Sequence, residues 1–434
     1  MKKLIMLMVA VLALSSAATA QSMRVDVEGL KKKTAASDTD IQDSKKNGRA
    51  ATWMNRGKVY FDAAVAPTNG LRRGMEQLEL GLLFREPQNR QDGVESRGGS
   101  YSVLEYPHFN VYIAQNQVVF WEQKTFIVEN GLETSVEAYQ KAVELDARQT
   151  AKAKQGVESV IAQFRQEADV SFSQGNYAAT AKAFAKAYDY SVLPLVNEPD
   201  SLSAYNAGYV GVLAEDFNLA IKYLDEAYRL AYEMDGELYF LLYHTYMGIE
   251  QPEKAESALK EGVQKFPANS KLIESLIIYY TSTGQDATQM IPLVEDALQR
   301  DPDNYVFHFG LGLIYDKLEN HDNAILQFQK ASELNPQDFS SVFNLAITYV
   351  RKAEALLPEI NAIPRNEQAR YEEMLGTLNG YYKTALPFFE RAYELSPTEP
   401  NSVELLKNIY FRFRDESPEM MQSYEKYNEL WKTM

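Results

Sequence analysis

The sequence contains no cysteine in 434 residues, which excludes disulfide frameworks, thiolate metal sites and a thiol nucleophile. It also excludes a lipid-bearing cysteine at a processed amino terminus. Histidine is scarce, and His108, His244, His308 and His321 stand too far apart for a metal-binding spacing. HExxH, G-x-S-x-G and the P-loop are all missing. Gly310 and Gly312 begin a G-x-G string with no third glycine and no preceding strand, so a dinucleotide fingerprint is excluded. Asp301, Asp303 and Asn304 lack the glycine and distal glutamate of a calcium loop and read as a polar turn. Paired carboxylates such as Asp225 with Glu226, or Glu372 with Glu373, fall among helical residues and read as solvated faces. The expectation is a chain with no cofactor and no metal that is not an enzyme.

Positive charge is also in short supply. Lys and Arg number 44 against 60 Asp and Glu, a net charge of −16 that repels nucleic acid and disfavours anionic lipid. Long apolar runs are confined to Leu4–Leu14, behind the positive Met1-Lys2-Lys3 and ahead of the small residues Ala18-Thr19-Ala20. This is the pattern of a cleaved export signal over residues 1–20, with a mature chain from Gln21. Losing Lys2 and Lys3 makes the net charge still more negative. No later stretch approaches the roughly 20 apolar residues of a membrane span. The expected location is periplasmic or secreted, in the soluble phase.

Proline is sparse, yet Pro267, Pro302 and Pro336 stand 35 and 34 residues apart. A period near 34 residues is that of a stacked helix-turn-helix unit. Between Asn304 and Pro336 the chain places Leu311, Gly312, Tyr315, Ala324, Phe328, Ala331 and Pro336. This pattern resembles the tetratricopeptide repeat (TPR) consensus, in which glycine and alanine allow two helices to cross closely while aromatic rings fill the gap. The register extends backward through Leu242, Tyr246, Ala255, Leu259, Gly262 and Pro267, then Ala207, Gly208, Ala220, Leu224 and Ala227, then Ala168, Tyr177, Phe184 and Ala187. The unit ending at Pro302 keeps Ile277, Ile278, Val294 and Ala297 but puts Met290 where a small residue is usual, so a looser crossing is expected.

Two units read as split. Leu345, Ala346 and Tyr349 open one whose second helix arrives at Ala385, Phe389, Ala392 and Pro397; Trp53, Gly57 and Tyr60 open another that resumes at Tyr139 and Ala142. The expected fold is all-α: a TPR helix-turn-helix solenoid of about six to seven units, with two insertions. The expected segments are 21–147, a split amino-terminal unit with an α/β insertion at about 65–132; 148–400, the array, with a helical insertion at about 350–379; and 401–434, capping helices carrying Leu405, Tyr410, Tyr424 and Trp431.

In the carboxyl-terminal insertion, Leu356, Leu357, Ile360 and Ile363 precede Pro364, and Tyr371, Met374, Leu375 and Leu378 follow, a pair of stripes that predicts a helical hairpin with Asn366 as N-cap. It either projects as an arm or folds onto the adjacent unit. In the amino-terminal insertion, Leu71, Met75, Leu78 and Leu82 predict one helix and Asn89–Ser100 a mobile polar loop. Val111, Ile113, Val118, Phe120, Phe126 and Val128, around Asn116 and Glu122, predict two or three short strands. This segment reads as a cap over the end of the array in preference to a recognition lid.

The TPR resemblance implies a binding face lined by the fifth and ninth positions of each first helix. The fifth positions are Arg165, Tyr205, Phe240, Ser275, Phe309 and Phe343; the ninth are Asp169, Tyr209, His244, Tyr279, Leu313 and Ile347. The candidate partner groove is therefore Tyr205, Tyr209, Phe240, His244, Tyr279, Phe309, Leu313, Phe343 and Ile347. Repeated aromatics are good anchors for an apolar peptide or helix, although aromatics at helical spacing also serve as core. No lysine occupies a fifth position, so the chaperone-tail clamp of some TPR modules is not expected. The sequence favours a protein-interaction scaffold of the cell envelope, with a protein or peptide partner. A nutrient or glycan-binding accessory is the first alternative. An enzyme using Glu105, His108, Glu122 and Lys124 of the amino-terminal insertion is the second.

Overall fold

The computed structural model describes residues 25–433 apart from 85, 284, 285 and 287, so the expected export signal lies outside the described residues. They divide into two compact units, with the boundary between Tyr232 and Glu233.

Unit 1 begins with α1 (Val27–Gln42) and α2 (Ala50–Val65). The chain then forms α3 (Gln77–Phe84), β1 (Asn89–Ser96), β2 (Gly99–Glu105), β3 (Phe109–Ala114) and β4 (Gln117–Gln123). It continues as α4 (Gly131–Leu145), α5 (Thr150–Ser173), α6 (Tyr177–Ser191), α7 (Ser201–Leu213) and α8 (Phe217–Arg229). Helices α2 and α4 pair across the whole insertion. Gly57 of α2 lies so near Tyr139 of α4 that an added Cβ would sit 2.7 Å from the ring, and Ser135 Oγ donates to the Gly57 carbonyl at 2.8 Å. Gly156 of α5 closes on the opposite edge of the same ring. A bulky side chain at either glycine would push the helices apart.

The strands form an antiparallel meander in chain order. Arg97-Gly98 and Gln115-Asn116 take positive φ, as two-residue hairpin turns with the native strand twist require. Leu71, Met75, Leu80, Val111, Phe120 and Trp121 form a core that also receives Val170 of α5. Three expectations need correction here. Asn89–Ser100 is not a loop but edge strand β1 and the start of β2; it is polar because an edge strand with two wet faces has little to bury. Leu71 and Met75 precede the helix and are buried, whereas Leu78 and Leu82 on it are 73% and 65% exposed. Phe126 and Val128 follow the last strand, and Phe126 is 72% exposed.

Unit 2 contains α9 (Glu237–Gly248), α10 (Pro252–Lys265), α11 (Ser270–Thr283), α12 (Ile291–Arg300), α13 (Tyr305–Lys317), α14 (His321–Leu334) and α15 (Phe339–Glu354). It ends with α16 (Leu357–Ala362), α17 (Gln368–Leu395), α18 (Pro400–Phe413) and α19 (Pro418–Thr433). Helices α10, α12, α14 and α17 each end one residue before a C-cap that is followed by Pro267, Pro302, Pro336 or Pro397. Proline cannot continue a helix, so it fixes these four termini in one register. Asn304, Asp338 and Glu399 then cap the next first helices with side-chain acceptors. Within repeats, the short turn places Glu250 and Glu319 at φ 57° and 55°, left-handed values that Gly175 takes in unit 1.

The consensus residues do what their sizes require. Phe328, Ala324 and Ala331 are fully buried, and a Cβ on Gly312 would lie 2.5 Å from the Phe328 ring. Gly262 stands in the same relation to Tyr239. By contrast, α11 and α12 approach each other less closely than paired helices elsewhere in the unit; Met290 is buried between them and their neighbours, within a cluster that includes Val294, Ile277 and Phe307.

The carboxyl-terminal insertion is a helical hairpin that packs on itself. Ala353, Ile360 and Leu378 are buried, with Leu356, Met374, Leu375, Tyr381 and Tyr382 against them. Its returning limb is continuous with the second helix of the split repeat, forming the 28-residue α17 with Pro387 inside it. The N-cap is Glu367, without a side-chain capping bond, and not Asn366 as the sequence suggested.

Candidate functional site

The candidate groove residues fall on α7 in unit 1 and on α9, α11, α13 and α15 in unit 2. On α7, Tyr205 is buried and Tyr209 half-buried, their rings parallel with centroids 6.4 Å apart. Tyr232 closes on Tyr205 at 5.4 Å. Two helices earlier, on α5, Arg165 and Asp169 are already engaged. Arg165 pairs with Asp200, and Asp169 pairs with Arg73 of the insertion. Gln166 and Gln174 donate to the carbonyls of Leu71 and Trp121 at 2.8 and 2.6 Å. The insertion thus covers this face of α5.

In unit 2 the residues differ in depth. Tyr279 of α11 is buried and donates its hydroxyl to the Pro252 carbonyl at 3.1 Å. Phe240 of α9 is half-buried, with the Lys271 ammonium 3.6 Å from its ring centroid and His244 edge-on at 4.3 Å. Crowding by protein, reinforced by the Lys271 charge, holds His244 below the usual imidazole range although its surface reaches solvent. Phe309 and Leu313 of α13, and Phe343 and Ile347 of α15, are all half-buried. Phe309 rests on Phe328 and Phe343 on Phe389, both at 5.7 Å between centroids, and both supporting rings are fully buried. Each partly exposed ring is thereby backed by a rigid one.

The residues of the enzymatic alternative lie on and beside the sheet, each with a local partner, and the Lys124 N–H donates to the His108 carbonyl at 2.7 Å. Glu105 accepts from Gln91 and Asn89 at 2.9 and 3.1 Å, Glu122 accepts from Tyr112 at 2.9 Å, and His108 Nδ1 meets the Thr125 hydroxyl at 3.0 Å. Glu105 and Glu122 flank Asn110 in one row across β2, β3 and β4. The histidines are dispersed, and among the described residues no three metal-ligating side chains come together.

One cavity lay beyond sequence reasoning. It has a volume of about 250 Å³ in unit 1, between α5 and the edge of the insertion. Trp121, Phe126 and Val170 supply its apolar lining, and Gln163, Gln166 and Glu167 are among its polar residues. No motif marks these positions; the only local signals are Phe126 outside the strands and the glutamine-rich face of α5.

Residues 306–338 match the family model described as tetratricopeptide repeat. Curated proteins give no match. Among solved structures, the chain is similar to the C-terminal part of a TPR repeat-containing protein from Cytophaga hutchinsonii, at 15% identity and a TM-score of 0.45, covering 62% of this chain and 93% of that one. It is similar to a TPR repeats protein from Bacteroides fragilis at 16% identity, with a TM-score of 0.29, covering 57% of this chain and 97% of that one. The crystal structure of YrrB, described as a TPR protein with an unusual peptide-binding site, matches at 17% identity and a TM-score of 0.37, covering 52% and 97% of the respective chains.

Proposed function

The chain is a tetratricopeptide-repeat protein, and from that premise we propose that it is a non-catalytic scaffold of the bacterial cell envelope whose repeat faces hold a segment of another polypeptide. The observation that carries this reading is the recurrence of Phe240, Phe309 and Phe343 at one helix position of α9, α13 and α15, each only half-buried. A ring that served the core alone would be sunk like Phe328 or Phe389, which are fully buried on the second helices. Large rings held rigid from behind and open in front lose little freedom on binding, which makes them efficient anchors for apolar side chains. Leu313 and Ile347 extend the same faces with aliphatic surface. The export pattern of residues 1–20 supports the envelope location, and the net charge of −16 supports a neutral or basic partner.

The test combines Phe309→Ala with Phe343→Ala and compares in-cell crosslinking with the unaltered chain. Partner capture should be lost while far-UV circular dichroism is retained. Phe328→Leu serves as a control that loosens the core without altering the exposed rings. Recovery of the same partners from the double variant would refute the reading. Fractionation with amino-terminal sequencing checks the location: Gln21 should be the first residue of an envelope-fraction protein, and an uncleaved cytoplasmic chain would exclude it.

A further inference from the structure

The cavity between α5 and the insertion is chemically unlike the repeat faces. Its lining contains a single ionisable side chain, Glu167, together with Trp121, Phe126, Val170, Thr68 and Ser171, and the four glutamines 123, 163, 166 and 174. Each glutamine already spends an amide N–H on the protein. Gln123, Gln166 and Gln174 donate to the carbonyls of Thr125, Leu71 and Trp121, and Gln163 donates to the Glu167 carboxylate at 3.4 Å. The capacity left is weighted toward acceptors: amide oxygens and a carboxylate whose protein partner is held at the long end of hydrogen-bond range. Phe126 is 72% exposed and borders the same space, an aromatic side chain that the insertion's core leaves out.

Among the described residues no cation pairs with Glu167. Of the charged groups on the packed elements, Glu133 of α4 acts on Glu167 and is also acidic, and Arg73 of the insertion is paired with Asp169. We propose that this cavity is a second binding site, which takes the alkylammonium or alkylguanidinium side chain of a lysine or arginine on a bound polypeptide. The charged head meets Glu167 and the amide oxygens, and the alkyl stem lies against Phe126 and Val170. A donor-rich head on an apolar stem matches an acceptor-rich pocket with an aromatic rim. The volume of about 250 Å³ admits one long side chain and excludes a folded element. The site does not depend on the aromatic faces of unit 2, so either proposal can fail while the other stands.

Protein packed around the Glu167 carboxyl pushes its pKa up to about 7 although the side chain keeps contact with solvent; the Gln163 amide pulls it back, and the Glu133 charge adds to the rise. A bound cation favours the ionised form, so binding near neutral pH should release a proton.

The experiment uses the mature chain and three capped tripeptides with a central lysine, arginine or norleucine, titrated by calorimetry in two buffers of different ionisation heat. The lysine or arginine peptide should bind, at least tenfold more tightly at pH 8 than at pH 5.5, with proton release at pH 7. Glu167→Gln should weaken that binding at least tenfold at pH 8, remove its pH dependence and leave the thermal transition cooperative. Equal binding of the norleucine peptide, or an unchanged affinity in Glu167→Gln, would overturn the proposal. Cadaverine binding more tightly than the lysine peptide would overturn the polypeptide source. Binding of a neutral oligosaccharide at the same site, with no response to the lysine peptide, would replace the cation with a glycan.

Discussion

At the scale of single residues, the repeat is specified by a few steric exclusions. Gly312 leaves room for Phe328, and its replacement by alanine inserts a Cβ 2.5 Å from that ring. With Phe328 fully buried, the ring cannot withdraw without opening the α13–α14 crossing. Gly312→Ala should therefore destabilise unit 2 by about 1–3 kcal/mol, as other overpacked cores do; urea titration followed by circular dichroism measures it, and an unchanged midpoint would show that the crossing relaxes freely. Glu167 carries a different kind of residue-scale consequence. Its folded-state pKa of about 7 lies above the ordinary carboxylate value of 4.5. The folded chain therefore binds this proton more tightly, so the contribution to stability is fully present below pH 4.5 and is lost as pH rises through 7. Glu167→Gln should raise the melting temperature at pH 8 and leave it unchanged at pH 4.5. A gain at both values would assign the effect to packing.

At the scale of elements, the turns inside repeats contain avoidable strain. Glu319 has φ 55° and follows α14's partner helix at the position where Gly175 sits between α5 and α6. An L-residue pays for the left-handed conformation, and glycine does not. Glu319→Gly should stabilise unit 2 by about 1 kcal/mol, read as a rise in melting temperature; Gly175→Ala in unit 1 should do the reverse. Legibility in sequence followed the same logic. The Gly312, Ala324 and Phe328 pattern was readable because each size is dictated by one neighbour at a fixed offset. The inserted sheet was readable from Val111, Ile113, Val118 and Phe120, whose alternation matches one buried face. Strand β1 was not, since an edge strand exposed on both faces carries no alternation. Glu367 displaced Asn366 as N-cap because the hairpin's packing, and not the local capping preference, sets where α17 begins. Of the candidate site, periodicity placed rings on the first helices but said nothing of depth: Tyr205 and Tyr279 are buried, Phe309 and Phe343 only half so. The cavity beside Glu167 was invisible because Phe126 and α5 meet only in the folded unit.

At the scale of the whole molecule, stacked repeats derive their stability from nearest neighbours, so a weak crossing is felt locally. The α11–α12 pair, with Met290 in place of a small residue, is the place where unit 2 should open first. Hydrogen exchange should show the amides of α11 and α12 less protected than those of α13 and α14, and uniform protection along unit 2 would contradict this. Met290→Ala tests the cause, since it should either tighten the crossing and raise protection or leave a void and lower it further; no change would separate Met290 from the looseness.

The pairing of Gly57 with Tyr139 has a consequence in time as well as in space. The ribosome releases α2 long before α4, and everything between them must be made and gathered before the two can meet. Closing so long a loop costs chain entropy that no local contact repays in advance. Helix α2 should thus be among the last of unit 1 to settle, waiting as an unfinished half-repeat for chaperones or proteases to find during synthesis.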